Sequence, residues 1–164
     1  MAETPSPLFL LVLTTIGSAL FSVFSLNGNP VVLFAIPVGV LAGMLYEEQT
    51  GLLVGVGGAL LAGLVLFDLA KWEIIALALS AGIAAYLAAR LSTQKSPLEL
   101  GFYTVIGILL FDMLHTISSG RTILFRPEMI GGSAPESGAR ILSGIGIALF
   151  LAAYWLPEKK ESSQ

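Results

Sequence analysis

The chain has 164 residues, of which 55% are hydrophobic and only 12% are charged, and it carries a net charge of −3 and no cysteine. The acidic balance argues against nucleic acid, because neutralising phosphates requires clustered Lys and Arg, and the lack of cysteine excludes disulfides and thiolate metal sites. With a mean hydropathy of +0.88, the chain has too few polar residues to cover a soluble domain, so we expect an integral membrane protein without a soluble catalytic domain.

The charge-free stretches predict an all-α, six-helix transmembrane bundle that forms a single domain over residues 1–164. The first stretch is the longest, since no charged residue occurs between Thr4 and Tyr46. A transmembrane helix needs about 20 apolar residues, with about 17 as the lower limit, and the turn residues at 27–30 divide this stretch in two. The predicted membrane segments are 8–26, 31–46, 51–67, 74–89, 100–115 and 141–156.

Small residues recur at every fourth position of two predicted segments. Such a stripe allows two helix backbones to approach closely. For the third segment we expect packing inside the bundle, whereas the first segment could equally face another protein or its own chain. The stripes consist of Thr14, Ser18 and Ser22 in the first segment and Gly51, Gly55, Ala59 and Gly63 in the third.

The connection between the fifth and sixth segments, 116–140, is predicted to be a long loop because it is rich in glycine and contains two prolines. Long loops in compact domains are usually functional or disordered. Apolar residues within the loop predict that it folds back onto the bundle. A lid, a partner-facing loop and a plain surface linker all remain open.

Asp112 interrupts the apolar run of the fifth segment. A charged side chain at the centre of a membrane helix costs about 2.5–3.5 kcal/mol on insertion scales, so such residues usually face the interior and carry a function. His115 follows three residues later, on the same helix face. One interpretation places Asp112 at the membrane boundary and His115 in a loop. The other predicts a polar site roofed by 116–140, with Arg121 or Arg126 as counter-charge.

Metal binding and intramembrane catalysis are both disfavoured. A single histidine, with no His/Glu cluster at ligand spacing, does not make a metal site, and no motif predicts a cofactor. Glu47 and Glu48 resemble the start of the glutamate pair of one class of intramembrane proteases. That motif continues with an arginine where this chain has Leu52, so a small intramembrane enzyme is the least favoured reading.

The later half of the chain resembles a family of transport proteins. The stretch 102–112, followed by Leu124-Phe125-Arg126-Pro127, looks like the fifth helix and following loop of small energy-coupling-factor (ECF) S components. These are the substrate-capturing membrane subunits of vitamin and metal importers. The resemblance implies a pocket lined by the later helices and gated by loops. It also implies docking, through the small-residue face of the first segment, onto a transmembrane coupling subunit driven by two ATPases.

In this transport interpretation, the chain is the substrate-binding subunit of an ATP-driven micronutrient importer. The substrate is a small molecule bound by residues at the end of the fifth segment and in the two flanking loops. The residues expected to contact, position or enclose it are Asp112, His115, Arg121, Arg126, Glu128, Asn27 and Asn29.

A second resemblance concerns the second and third segments. From Pro30 through the glycine-rich run to 66–69, the chain looks like the MreD family of rod-shape proteins, in which a glycine-rich helix ends in an aspartate. That resemblance implies a non-catalytic scaffold of the cell-wall elongation machinery. Both families imply a multi-pass protein of a prokaryotic cytoplasmic membrane.

Overall fold

The computed structural model describes residues 4–26, 29–66, 71–118 and 127–156. Within these ranges the fold is all-helical, with six α-helices and one short antiparallel strand pair in which Ser25 lies opposite Pro30. The elements are α1 Pro7–Phe21, β1 Ser25–Leu26, β2 Asn29–Pro30, α2 Ala35–Leu45, α3 Glu48–Leu66, α4 Lys71–Leu91, α5 Pro97–Ser118 and α6 Pro127–Trp155.

Helix α2 forms the centre of the molecule. All of its residues from Ala35 to Met44 are buried, because α2 packs against each of the other five helices. Around it, the contacts run from α1 to α3, α4, α5 and α6 in that order. A helix that is apolar on every side is typical of a fully buried position, which explains why α2 has no polar face.

Successive helices run in opposite directions, so the molecule has two distinct ends. At one end, which we call the hairpin end, the β1–β2 pair lies near the start of α2, and Arg140 of α6 pairs with Asp112 of α5. At the other end, which we call the Arg90 end, Arg90 of α4 pairs with Glu48 of α3 at 3.5 Å.

The small-residue stripe of α3 lies inside the bundle, between α2 and α4. A Cβ atom added to Gly51 would lie 2.6 Å from the Cα of Gly43 in α2, and one added to Gly55 would lie 3.1 Å from the backbone of Ala81 in α4. These distances leave no room for larger side chains, so the stripe permits the close crossing of three helices.

The stripe of α1 is also covered by the chain itself. Thr14 is fully buried and lies against Gly58 of α3, and Ser18 is 8% exposed. The outward face of α1 is instead apolar, with Leu8 and Leu20 more than half exposed. An external partner of α1 would therefore meet this apolar face and not the small residues.

The outer surface of the bundle is apolar. Large aliphatic side chains such as Leu64, Leu98 and Leu142 are each more than 70% exposed, which is unusual for a protein surface in water. In the part of the chain that the structure describes, three helices are long and apolar enough to cross a membrane, over Trp72–Leu91, Pro97–Ile117 and Pro135–Trp155. These features indicate a membrane protein. Helices α1 and α2 are shorter, with 15 and 11 residues.

The end of α5 and the start of α6 differ from the prediction of a loop over 116–140. Helix α5 continues to Ser118, and α6 already begins at Pro127. Proline is favoured in a first helical turn, where its missing N–H would have no helical partner. Pro135 lies inside α6; proline is tolerated within membrane helices more readily than within soluble ones, so the composition of this segment indicated a loop where a helix forms.

Candidate functional site

Asp112 and Arg140 form a buried ion pair at the hairpin end. The Nη1 group of Arg140 donates a hydrogen bond to Oδ1 of Asp112, and Nε donates to the carbonyl oxygen of Pro30 at 2.7 Å. The side chain of Arg140 is only 4% exposed and that of Asp112 is 16% exposed. The guanidinium carbon also lies 5.4 Å from the centre of the Phe111 ring, a cation–π distance. One side chain thus joins α5, α6 and β2.

This pair retains unused hydrogen-bonding capacity. The second oxygen of Asp112, Oδ2, and the Nη2 group of Arg140 are buried, and neither has a hydrogen-bond partner among the described residues. Buried polar groups are nearly always hydrogen-bonded, to protein or to ordered water. At this end of the bundle, Oδ2 of Asp112 can therefore accept one further hydrogen bond, and Nη2 of Arg140 can donate one.

His115 and Glu73 extend the polar region towards α4. The Nδ1 atom of His115 lies 3.9 Å from Oε1 of Glu73, and both side chains are 22% exposed. This distance is too long for a hydrogen bond, so the two groups interact through their charges when His115 is protonated. The imidazole also stacks on Phe111, with ring centres 5.7 Å apart and planes inclined by 13°. Phe111 therefore lies between the two polar pairs.

A small cavity lies beside these pairs, around the start of α2. Its walls come from α1, α3, α4, α5 and the segment that precedes α2, and it encloses about 30 Å³. Three of the lining side chains are polar, namely Ser18 of α1, Ser22 directly after α1 and Glu73 of α4, and the remainder are mostly apolar. Of the described residues, Glu73 alone brings a charged group to this lining. Asp112 and His115 lie next to the cavity wall. Phe111, which precedes Asp112 and stacks on His115, is part of this wall, and so is Glu73, which lies 3.9 Å from His115.

The predicted site residues fall into three groups. Asp112 and His115 both lie towards the C-terminal end of α5, but Asp112 pairs with Arg140 of α6 whereas His115 lies near Glu73 of α4. Glu128 lies in the first turn of α6, and Asn29 lies in β2. The other three predicted residues lie outside the described part of the chain: Asn27, Arg121 and Arg126.

Two residues of this region were missed by the sequence analysis. Arg140, and not Arg121 or Arg126, is the described counter-charge of Asp112. The sequence does contain a sign of this pairing. Arg140 immediately precedes the sixth predicted segment and Asp112 lies near the end of the fifth, and two antiparallel neighbouring helices bring these two ends together. Glu73 lies just before the predicted segment 74–89, so it does not interrupt an apolar run as Asp112 does.

The Arg90 end offers a different arrangement. Its shallow surface groove is lined by Tyr46, Glu47, Glu48 and Arg90, among others. The Glu48–Arg90 pair is exposed to solvent, with 61% of the Arg90 side chain accessible, and such pairs contribute little. The described residues contain no group of three His, Asp or Glu side chains that could hold a metal ion.

Comparisons with known proteins were made by sequence and by structure. The chain matches no protein-family model, no curated protein and no solved structure.

Proposed function

We propose that the chain is a membrane-embedded substrate-binding subunit of an ATP-driven micronutrient importer, similar to the ECF S components. The observation that carries the proposal is the small cavity with a carboxylate and two hydroxyl groups in its wall. Binding sites in membrane bundles are usually built from polar side chains that face the interior between helices. The resemblance of 102–112 to the fifth helix of that family supplies the transport context.

We further propose that all six helices belong to one membrane-spanning bundle. Helix α2 has 11 residues, about 16 Å at 1.5 Å per residue, and residues 31–33, which precede its N-cap Phe34, add at most about 10 Å. Together these segments approach the roughly 30 Å of a hydrocarbon core. Irregular backbone is tolerated at that depth where protein covers it. In support, Leu33 and Phe34 are buried, and the carbonyl of Val31 accepts a hydrogen bond from Ser143.

Within this proposal the polar residues divide between binding and positioning. Glu73, Ser18 and Ser22 face the cavity and contact the substrate. The Asp112–Arg140 pair holds α5, α6 and β2 around the cavity, and His115, whose Nδ1 atom lies 3.9 Å from Oε1 of Glu73, positions that carboxylate. The gating roles of Asn27, Asn29, Arg121, Arg126 and Glu128 stay predictions from the sequence.

The proposal places the chain in a prokaryotic cytoplasmic membrane, next to a coupling subunit. It is tested by mild affinity purification from native membranes, followed by mass spectrometry of the co-purifying proteins and of extracted small molecules. We expect ATPase subunits, a coupling protein and a bound metabolite. The variant Glu73→Gln should retain the proteins and lose the metabolite, whereas Glu47→Gln, at the Arg90 end, should retain both.

A second candidate function is an MreD-like scaffold of the cell-wall elongation machinery. It is favoured by an apolar groove between α1 and α6, lined by Leu13, Phe21, Phe150 and Trp155 among others, with a volume of about 350 Å³. A groove of this kind on the outside of a membrane bundle suits contact with another protein's helix. Recovery of cell-wall synthesis and cytoskeletal proteins, with no metabolite, would replace the importer by the scaffold.

A further inference from the structure

We infer that the cavity at the hairpin end binds a small primary ammonium cation. This inference rests on the proposed substrate-binding function and specifies the class of substrate. It is carried by three properties of the described cavity wall: its charge, its hydrogen-bonding groups and its size.

The charge of the cavity wall favours a monovalent cation. Glu73 lines the cavity, whereas the opposite charges of Asp112 and Arg140 compensate each other directly. The starts of α2 and α4 and the ends of α1 and α3 all border the cavity, so their partial charges of about +0.5 and −0.5 roughly cancel. The carboxylate of Glu73 therefore leaves the wall net negative when His115 is neutral. An anion would be repelled by Glu73.

The hydrogen-bonding groups match the ammonium group. Ser18 is more than nine-tenths buried, and its hydroxyl oxygen has no hydrogen-bond partner among the described residues. The hydroxyl of Ser22 donates to the carbonyl of Ala19 at 2.8 Å, so its oxygen can still accept. With the carboxylate of Glu73, the wall offers three acceptor groups. A primary ammonium group has three N–H donors and no acceptor, as in lysine.

The size and apolar lining restrict the cation further. The cavity encloses about 30 Å³, which is room for roughly two or three non-hydrogen atoms, since about 10–15 Å³ admits one water molecule. Calcium and magnesium ions need about six or more oxygen ligands, more than the polar side chains of this lining supply. The rings of Phe34 and Phe111 contribute to the wall, and aromatic rings attract organic cations.

The inference is tested with methylammonium on the purified full-length protein in nanodiscs of phosphatidylglycerol, by calorimetric titration at constant ionic strength. We expect saturable binding of methylammonium and no saturable binding of sodium or of the larger tetramethylammonium. Glu73→Gln should raise the Kd for methylammonium at least tenfold, whereas Glu47→Gln should leave the Kd unchanged. Equal responses to methylammonium and sodium, or an unchanged Kd in Glu73→Gln, would overturn the inference.

Two additional measurements make the outcome decisive. If Glu73→Gln does not fold, Ser18→Ala removes one acceptor without adding volume and should weaken binding about three- to tenfold, the effect of one lost hydrogen bond; an unchanged Kd overturns the inference. Adding phosphatidylethanolamine to the nanodiscs separates the two sources of a primary ammonium group. If phosphatidylethanolamine competes with methylammonium, the site binds a lipid headgroup. If it does not compete, the site binds a soluble amine.

This test is distinguishable from that of the importer. Purification with ATPase subunits and an amine-free metabolite, together with no methylammonium binding, would keep the importer and reject the ammonium cation. Methylammonium binding in a chain that purifies without ATPase subunits would keep the cation and reject the importer.

Discussion

Arg140 holds three parts of the molecule with one side chain. It pairs with Asp112, donates to the carbonyl of Pro30 and lies over the ring of Phe111. These contacts use the planar guanidinium group, whose N–H donors have fixed directions, so lysine cannot replace it. The Asp112–Arg140 pair therefore stabilises the hairpin end. Substituting either residue should lower the stability of the fold more directly than it lowers substrate affinity.

Substituting Asp112 should destabilise the protein strongly. Asp112→Asn leaves the charge of Arg140 buried without its counter-charge, and breaking a buried pair in this way costs about 3–5 kcal/mol. We expect a large fall in the Tm of the detergent-solubilised protein. The double variant Asp112→Leu/Arg140→Met removes both charges and should recover much of this loss.

The control for this prediction is Glu48→Gln, which breaks the exposed Glu48–Arg90 pair. Because exposed pairs contribute about 0–1 kcal/mol, its Tm should stay near that of the wild type. Equal Tm values for Asp112→Asn and Glu48→Gln would show that Asp112 does not brace the fold.

The sequence predicted one half of this ion pair and not the other. Asp112 stands out because a carboxylate within an apolar run is costly and therefore rare. Arg140 did not stand out, because it lies in a segment rich in glycine and proline that resembles a loop. Its burial depends on where α6 begins and on the carbonyl of Pro30, and both are tertiary features that a local pattern does not contain.

The crossing of α2, α3 and α4 depends on glycine, which leads to a prediction at the scale of the helices. A Cβ atom at Gly51 would meet the backbone of Gly43 at 2.6 Å, so Gly51→Ala requires α2 and α3 to move apart. We expect a loss of about 1–3 kcal/mol, as for other overpacked cores, measured by thermal unfolding in detergent.

Gly146→Ala is the matched control, because Gly146 lies within α6 and nothing lies within 4 Å of an added Cβ atom. Alanine favours helix over glycine by up to about 1 kcal/mol, so this variant should be neutral or more stable. If Gly51→Ala were as stable as Gly146→Ala, α2 and α3 would not cross as closely as described.

The helices themselves were largely predictable, and their ends were not. Apolar runs located every helix, since a hydrocarbon-facing helix cannot carry charge along its length. The predicted segment 31–46 nevertheless shortens to α2 Ala35–Leu45. Residues 31–33 precede the N-cap Phe34, and the hydroxyl of Ser143 donates a hydrogen bond to the carbonyl of Val31. This contact joins residues more than 100 positions apart, so a local sequence pattern does not contain it.

At the scale of the whole molecule, the arrangement is a central apolar helix within a surround of five others. Polar contacts are concentrated at the two ends, and the outer wall is apolar. Among the described helices, three are long and apolar enough to span a membrane by themselves. The number of crossings therefore depends on whether the short helices α1 and α2 cross together with their flanking segments.

Cysteine labelling separates the six-span bundle from an arrangement in which only α4, α5 and α6 cross. The chain contains no cysteine, so single cysteines can be placed at exposed positions without a background. Thr4 and Gln49 lie at the Arg90 end, and Ser25 lies at the hairpin end. In a six-span bundle, Thr4→Cys and Gln49→Cys should react with an impermeant maleimide from one side of sealed membrane vesicles, and Ser25→Cys from the other. If α1, α2 and α3 do not cross, all three positions stay on one side and react together, because no membrane then separates the two ends of these helices.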